Sequence, residues 1–160
     1  MATETFNSYN GYSSTLTGSA GGINWSANAI GGIYCDGSLG FFSTNMNVAA
    51  TFTFDPGVMS VGANIFGTDA SFNIVSAKIT VTLADGSSYI ARTNGVEDFV
   101  GFISSGAAIS SLTMNAFATG GGFSNVYVTA NNMYFGVTAI PAPGAAALLG
   151  LAALVSRRRR

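Results

Sequence analysis

Apolar and polar residues alternate along most of this chain with a period of two. Ile23, Trp25 and Ala27 alternate with Asn24, Ser26 and Asn28, and Phe52 and Phe54 alternate with Thr51 and Thr53. Such alternation belongs to strands with one face buried and one solvated. "DFVGFIS", "ISSLTMNAF" and "VYVTANNMYFGV" are rich in aromatic and β-branched residues, which also suit strands. No stretch before residue 138 keeps apolar residues at helical spacing between capping residues. In "KITVTLADGSSYIAR", Asp85-Gly86 stands between two alternating runs and predicts a hairpin with a two-residue type I′ turn. That register sets Leu83 opposite Ser88, Thr82 opposite Tyr89 and Val81 opposite Ile90, with Val81 and Ile90 on the buried face. "DPG" at Asp55 to Gly57 predicts a second turn, with Pro56 pre-set for its first central position. About ten short strands separated by Gly, Ser and Asn turns predict an all-β domain over 1–137. The expected form is an antiparallel β-sandwich of jelly-roll or lectin-like kind.

The pattern breaks after Val137. Pro141 and Pro143 make 138–143 a short, stiff linker. Residues 144–160 follow as an apolar helix closed by Arg157, Arg158, Arg159 and Arg160. Gly144 to Val155 is apolar on every side, so it cannot be the surface helix of a soluble domain. Its twelve residues would reach only about 18 Å, short of a hydrocarbon core of roughly 30 Å. Leu148, Leu149, Leu151 and Leu154 supply its hydrophobicity, and the arginines would stay on the cytoplasmic side and stop translocation. The segment is suited to transient rather than permanent membrane retention.

Charge separates the two parts further. Lys and Arg number 6 and Asp and Glu 7, only 8% of the chain together. All seven acids lie before residue 138 with only Lys78 and Arg92 against them, while four of the six cations close the tail. The acidic body carries no electrostatic footprint for nucleic acid, which excludes that class of partner.

"IPAPGAAALLGLAALVSRRRR" resembles the C-terminal sorting signal of bacterial PEP-CTERM proteins, in which a short Pro motif, a marginal transmembrane helix and an Arg cluster follow in that order. Pro141 and Pro143 match the two prolines, Ile140 takes the usual Val position, and Ala142 stands where the family has Glu. The resemblance implies a membrane-embedded exosortase transpeptidase as partner, cleavage near Ile140 to Pro143, and display at the cell surface or in the extracellular matrix. It also implies an N-terminal leader, which "MATETFNSYNGY" does not supply. The body is similar, more loosely, to the β-rich domains of that family. This implies a lectin-like sandwich and a calcium ion near the chain ends, with Glu4 as the one candidate ligand and Asn131 and Asn132 offering no carboxylate.

The residues themselves argue against catalysis. The chain has no His, so no Ser-His or Cys-His pair exists. Glu97 and Asp98 are the one adjacent acidic pair, and neighbours on a strand point to opposite faces. Cys35 is single, and the expected role is a small buried residue. Trp25, Tyr34, Phe41, Phe42 and Tyr127 are large aromatics in a Gly- and Asn-rich setting. Sugar-binding sandwiches use such rings as platforms, so Trp25 and Tyr34, with Asp36 as polar partner, are the candidate ligand-binding residues. For Trp25, core filling beside Ile23 and Ala27 is the competing role. The expected function is therefore a non-enzymatic, exported surface or matrix protein without a resident cofactor. The alternative is a module binding exopolysaccharide that travels by the same route. Exposed aromatics on one sheet face would favour the module; a Thr/Ser/Asn face with every ring buried would favour the structural role. Low charge and strong β-propensity also predict association between sheet edges.

Overall fold

The computed structural model describes residues 1–119 and 125–137. The expected sorting motif Ile140 to Pro143, the apolar segment and the terminal arginines lie outside the described residues, as do residues 120–124. Twelve strands follow along the described chain. They are β1 (Ala2–Glu4), β2 (Gly11–Ala20), β3 (Ile23–Asp36), β4 (Phe41–Thr44), β5 (Ala50–Phe54), β6 (Ser60–Thr68), β7 (Ile74–Val75), β8 (Ala77–Leu83), β9 (Ser88–Thr93), β10 (Phe99–Ile103), β11 (Ser111–Ala118) and β12 (Tyr127–Gly136).

All pairings are antiparallel, and one hydrogen-bonded path runs β10-β6-β12-β4-β3-β5-β11-β8-β9. This path folds back on itself. A Cβ built on Gly67 of β6 would stand 2.5 Å from the Cβ of Ala77 of β8, although the two strands lie far apart along the sheet. Val61, Ala63 and Ile65 from one limb share a single core with Ile79, Val81, Leu112 and Met114 from the other. The fold is a β-sandwich of jelly-roll type.

The two limbs join through β3. Ile23 to Ala29 holds apolar residues at every second position, and its Trp25 to Ala29 pair with β5; Ile33 to Asp36 pair instead with β4. The strand turns from one layer to the other at Gly31 and Gly32, whose φ values of 83° and 86° lie where side chains are disfavoured. β2 follows β3 through the bend, with a register shift between Ser13 and Thr15. Alternation on either side of two glycines thus makes one strand serve two sheets.

Under the bend lies an aromatic cluster. Phe6 is fully buried with a φ of 57°, and its ring sits 5.5 Å from Phe42, 5.8 Å from Trp25 and 6.2 Å from Phe52. Cys35 is buried against the same core, as expected. Burial, reinforced by the Glu4 carboxylate, pushes its thiol up to about 12. Two results follow. A water-soluble disulfide reagent should leave Cys35 unmodified at pH 8 in the folded protein and react fully in guanidinium, since the thiolate is the attacking form. Because the folded thiol holds its proton more tightly, stability is fully present below the ordinary thiol range, roughly pH 8.5, and falls as pH rises towards about 12.

The β8–β9 hairpin forms one residue out of the expected register. Thr82 pairs with Ser88, Val81 with Tyr89 and Thr80 with Ile90. Ile90 therefore leaves the buried face and is 61% exposed. The turn is the cause. Gly86 alone takes a left-handed φ, 86°, its N–H donates to Leu83 O at 3.0 Å, and Leu83 N–H donates to Ser87 O at 2.8 Å. Asp85 remains right-handed and accepts the Ser87 N–H at 2.8 Å, giving a three-residue loop with a bulge in place of the type I′ turn. The Asp55 to Gly57 turn forms as expected, with Gly57 at φ 101°.

Candidate functional site

The outer face of the first limb carries its chemistry because of register. Tyr12 pairs with Tyr34, Tyr34 with Ser43, Ser43 with Thr129 and Thr129 with Phe66, a row of five side chains crossing five strands. Opposed residues share a face, so this row points away from the core that Ile33, Cys35, Phe42 and Ile65 enter. Thr68, Thr129 and Ser43 are buried here, and their hydroxyls join at 2.7 and 2.9 Å. A polar layer on the outside of a sheet is buried because something covers it.

The cover is the loop between β6 and β7. Asp69 draws it tight: Oδ1 accepts the N–H of Ser71 at 2.8 Å and of Asn73 at 3.0 Å, and Oδ2 accepts Asn73 Nδ2 at 2.9 Å. The loop places Phe72, at φ 61°, with its ring 6.1 Å from Phe41 and 6.0 Å from Tyr34; Phe41 in turn meets Phe66 edge-on at 5.1 Å. Across from it, Asp36 shapes the turn after β3. Its Oδ1 accepts Ser38 Oγ at 2.6 Å and the N–H groups of Ser38 and Leu39 at 2.9 and 3.2 Å.

Between these two loops lies a groove of about 390 Å³, within the usual range for small-molecule sites. Tyr34 and Phe72 give it apolar rings, Asp36 and Asp69 carboxylates, Asn45 an amide, and Tyr127 a phenol. Hydrogen bonds from Ser38 hold the Asp36 carboxyl below the ordinary carboxylate range, and Asn73 does the same for Asp69. Both stay ionised under mildly acidic conditions, and the bonds that shape the two loops are lost only as pH falls through and below that range.

Of the candidate residues, Tyr34 and Asp36 come together at this groove, and Tyr34 is 44% exposed. Trp25 does not join them. It is 3% exposed and packed between Phe6, Tyr9 and Phe52, so it fills the core and offers no platform. Asp36 also holds the turn after β3, accepting the N–H groups of Ser38 and Leu39. Asp69, Phe72 and Asn45 escape the sequence reading, although Asp69 followed by Ser71 and Asn73 is a legible side-chain-capped turn.

Glu4, the candidate calcium ligand, gives one carboxylate oxygen to the Phe6 N–H at 3.0 Å. Among the described residues no three His, Cys, Asp or Glu side chains gather. Asp98 accepts the N–H groups of Asn94 and Gly95 at 2.7 and 3.0 Å and so closes its own loop.

The outer face of the second limb is different. Thr15, Asn28, Thr51, Thr113, Thr82 and Ser88 pair in one continuous row, and Thr17, Ser26, Thr53 and Ser111 in another. Hydroxyls meet within these rows at 2.6 Å (Ser26 and Thr53) and 2.9 Å (Thr51 and Thr113).

No protein-family model matches the chain, and no curated protein does. One solved structure is similar, a variant of the family 29 carbohydrate-binding module CBM29-2. The match has 12% identity, covers 84% of this chain and 88% of that one, and has a TM-score of 0.29. What fold and geometry define is a jelly-roll sandwich with an aromatic, acid-lined groove on one outer face.

Proposed function

We propose that this protein is a non-catalytic, exported domain that binds polysaccharide at the cell surface or in the matrix, with the groove between Tyr34 and Phe72 as its site. The observation that carries the reading is the composition of that groove: two aromatic rings beside carboxylate, amide and hydroxyl groups, with no cation in its lining. A sugar ring presents apolar C–H faces and a rim of hydroxyls. The first pack on aromatic rings, and the second need fixed donors and acceptors. Exposed aromatics on this outer face, Tyr12 at 60% and Tyr34 at 44%, favour the module over a purely structural role. Retardation in native gels cast with neutral polysaccharides tests it. Tyr34→Ala is expected to weaken binding about tenfold or more while leaving the melting temperature nearly unchanged, because the ring is surface-borne. A wild-type protein that no polysaccharide retards would overturn the reading.

A second reading rests on the opposite face. The uncharged Thr/Ser/Asn rows suit a structural matrix protein that recognises no sugar, and such a protein would migrate unretarded in every gel. Delivery in either case follows from the tail: its Pro motif, apolar run and arginines support sorting by an exosortase-type transpeptidase after transient membrane retention. Intact masses of the protein from medium and envelope test this. A mature chain ending near Ile140 to Gly144 is expected; recovery only of chains that keep Arg157 to Arg160 would sink it.

A further inference from the structure

Sheets in soluble proteins protect their open edges with charge, Pro or bulges. Among the described residues three long edges are open. β2 is broken by its register shift at Ser13 and Thr15, and β9 carries Arg92. β10, "FVGFI", has none of these defences. It pairs with β6 alone, in unbroken register from Phe99 opposite Asn64 to Ile103 opposite Ser60.

The hydrogen-bond parity of this edge is fixed by its two ends. Asp98 O accepts from Ile65 N–H at 3.0 Å, and Ser104 N–H donates to Met59 O at 2.8 Å. Even-numbered residues therefore turn their backbone groups towards β6, and Phe99, Gly101 and Ile103 turn theirs outward. The same three residues direct their side-chain positions to the outer face, where Phe99 is 56% and Ile103 68% exposed. Gly101 lies at their centre.

We propose that β10 is a homodimerisation edge, pairing antiparallel with β10 of a second copy about a two-fold axis at Gly101. A second copy is the fitting partner because the segment complements itself. Placing Gly101 opposite its own copy sets Phe99 opposite Ile103 and Ile103 opposite Phe99. Every pair then exchanges both backbone bonds, satisfying all six outward groups on each chain. The Phe99 ring lies over Gly101, where an added Cβ would meet it at 2.8 Å, so the centre of the edge carries no side chain of its own on the outer face. Each exposed Phe99 gains an apolar cross-strand neighbour in Ile103 of the other chain. The two sheets become one, and the grooves of both copies are carried on it. No charge has to be buried.

Sedimentation velocity of the full chain over rising concentration tests this. The wild type is expected to pass from monomer to dimer and stop there. Ile103→Pro removes one outward N–H per chain while leaving the bonds to β6, a substitution that edge strands tolerate, and should weaken the dimer about tenfold or more. Ile103→Lys should do the same without touching the backbone, and Thr17→Lys, on the β2 edge, should change nothing. Thermal melts of all three variants report whether they fold. The apolar tail is common to every variant, so association through it would be insensitive to residue 103. A wild type that stays monomeric, assembles beyond the dimer, or dimerises equally well as both Ile103 variants would overturn the proposal.

Discussion

Replacing Phe6 with Ala is expected to lower the free energy of unfolding by about 3–5 kcal/mol, a large share of the stability of a domain of this size. Phe6 is fully buried between both limbs of the sandwich and contacts Phe42, Phe52, Trp25 and Tyr9. Truncation removes its apolar area from the core and leaves a cavity that four rings, each held by its own strand or turn, cannot collapse to fill. The backbone adds to the loss. Phe6 has a left-handed φ of 57°, which costs about 1–2 kcal/mol for a residue with a Cβ. Ala keeps that strain while giving up the contacts that offset it. Urea unfolding followed by Trp25 fluorescence measures the change, and the melting temperature should fall by about 10 °C. Phe6→Gly relieves the backbone, so it should be no worse than Ala despite the smaller side chain. A loss below about 1 kcal/mol for Phe6→Ala would show that the N-terminal segment does not seal the core.

Much of this fold is legible in the sequence, and the failures are local. Period-two alternation identifies which faces of β3, β5, β8 and β11 enter the core, down to Ile23, Trp25 and Ala27. It could not foresee the β8–β9 register, because Asp85-Gly86 serves two hairpin loops that differ by one residue; the Asp85 carboxylate bond to Ser87 decides between them. Phe6 was illegible for a different reason. Its burial comes from contacts with strands tens of residues away, and its own neighbours, Asn7 and Ser8, are polar. The groove was half legible. Tyr34 and Asp36 stand two apart on one strand and so share a face, whereas Phe72 arrives from a separate loop, drawn tight by Asp69, and meets Tyr34 and Phe41 from other strands. No local pattern encodes that meeting.

The glycine pair in β3 links fold to site and carries the second large effect. Gly31 and Gly32 hold φ values of 83° and 86°, so a Cβ at either position meets backbone resistance of about 1–2 kcal/mol. The double variant Gly31→Ala/Gly32→Ala should therefore lose about 2–4 kcal/mol. Space alone would not produce this loss. The Cβ atoms would meet Met46 and Tyr12, whose side chains are 49% and 60% exposed and free to swing aside. The strain acts on the bend itself. Flattening it turns Ile33 to Asp36 away from β4, and with them Tyr34 and Asp36 on one wall of the groove. The double variant is thus expected to weaken polysaccharide binding by more than its stability loss requires, at temperatures where it is still folded. Tyr34→Ala should show the reverse, lost binding with little lost stability. If the double variant keeps full affinity below its melting temperature, the groove does not depend on the bend, and the two limbs position their faces independently.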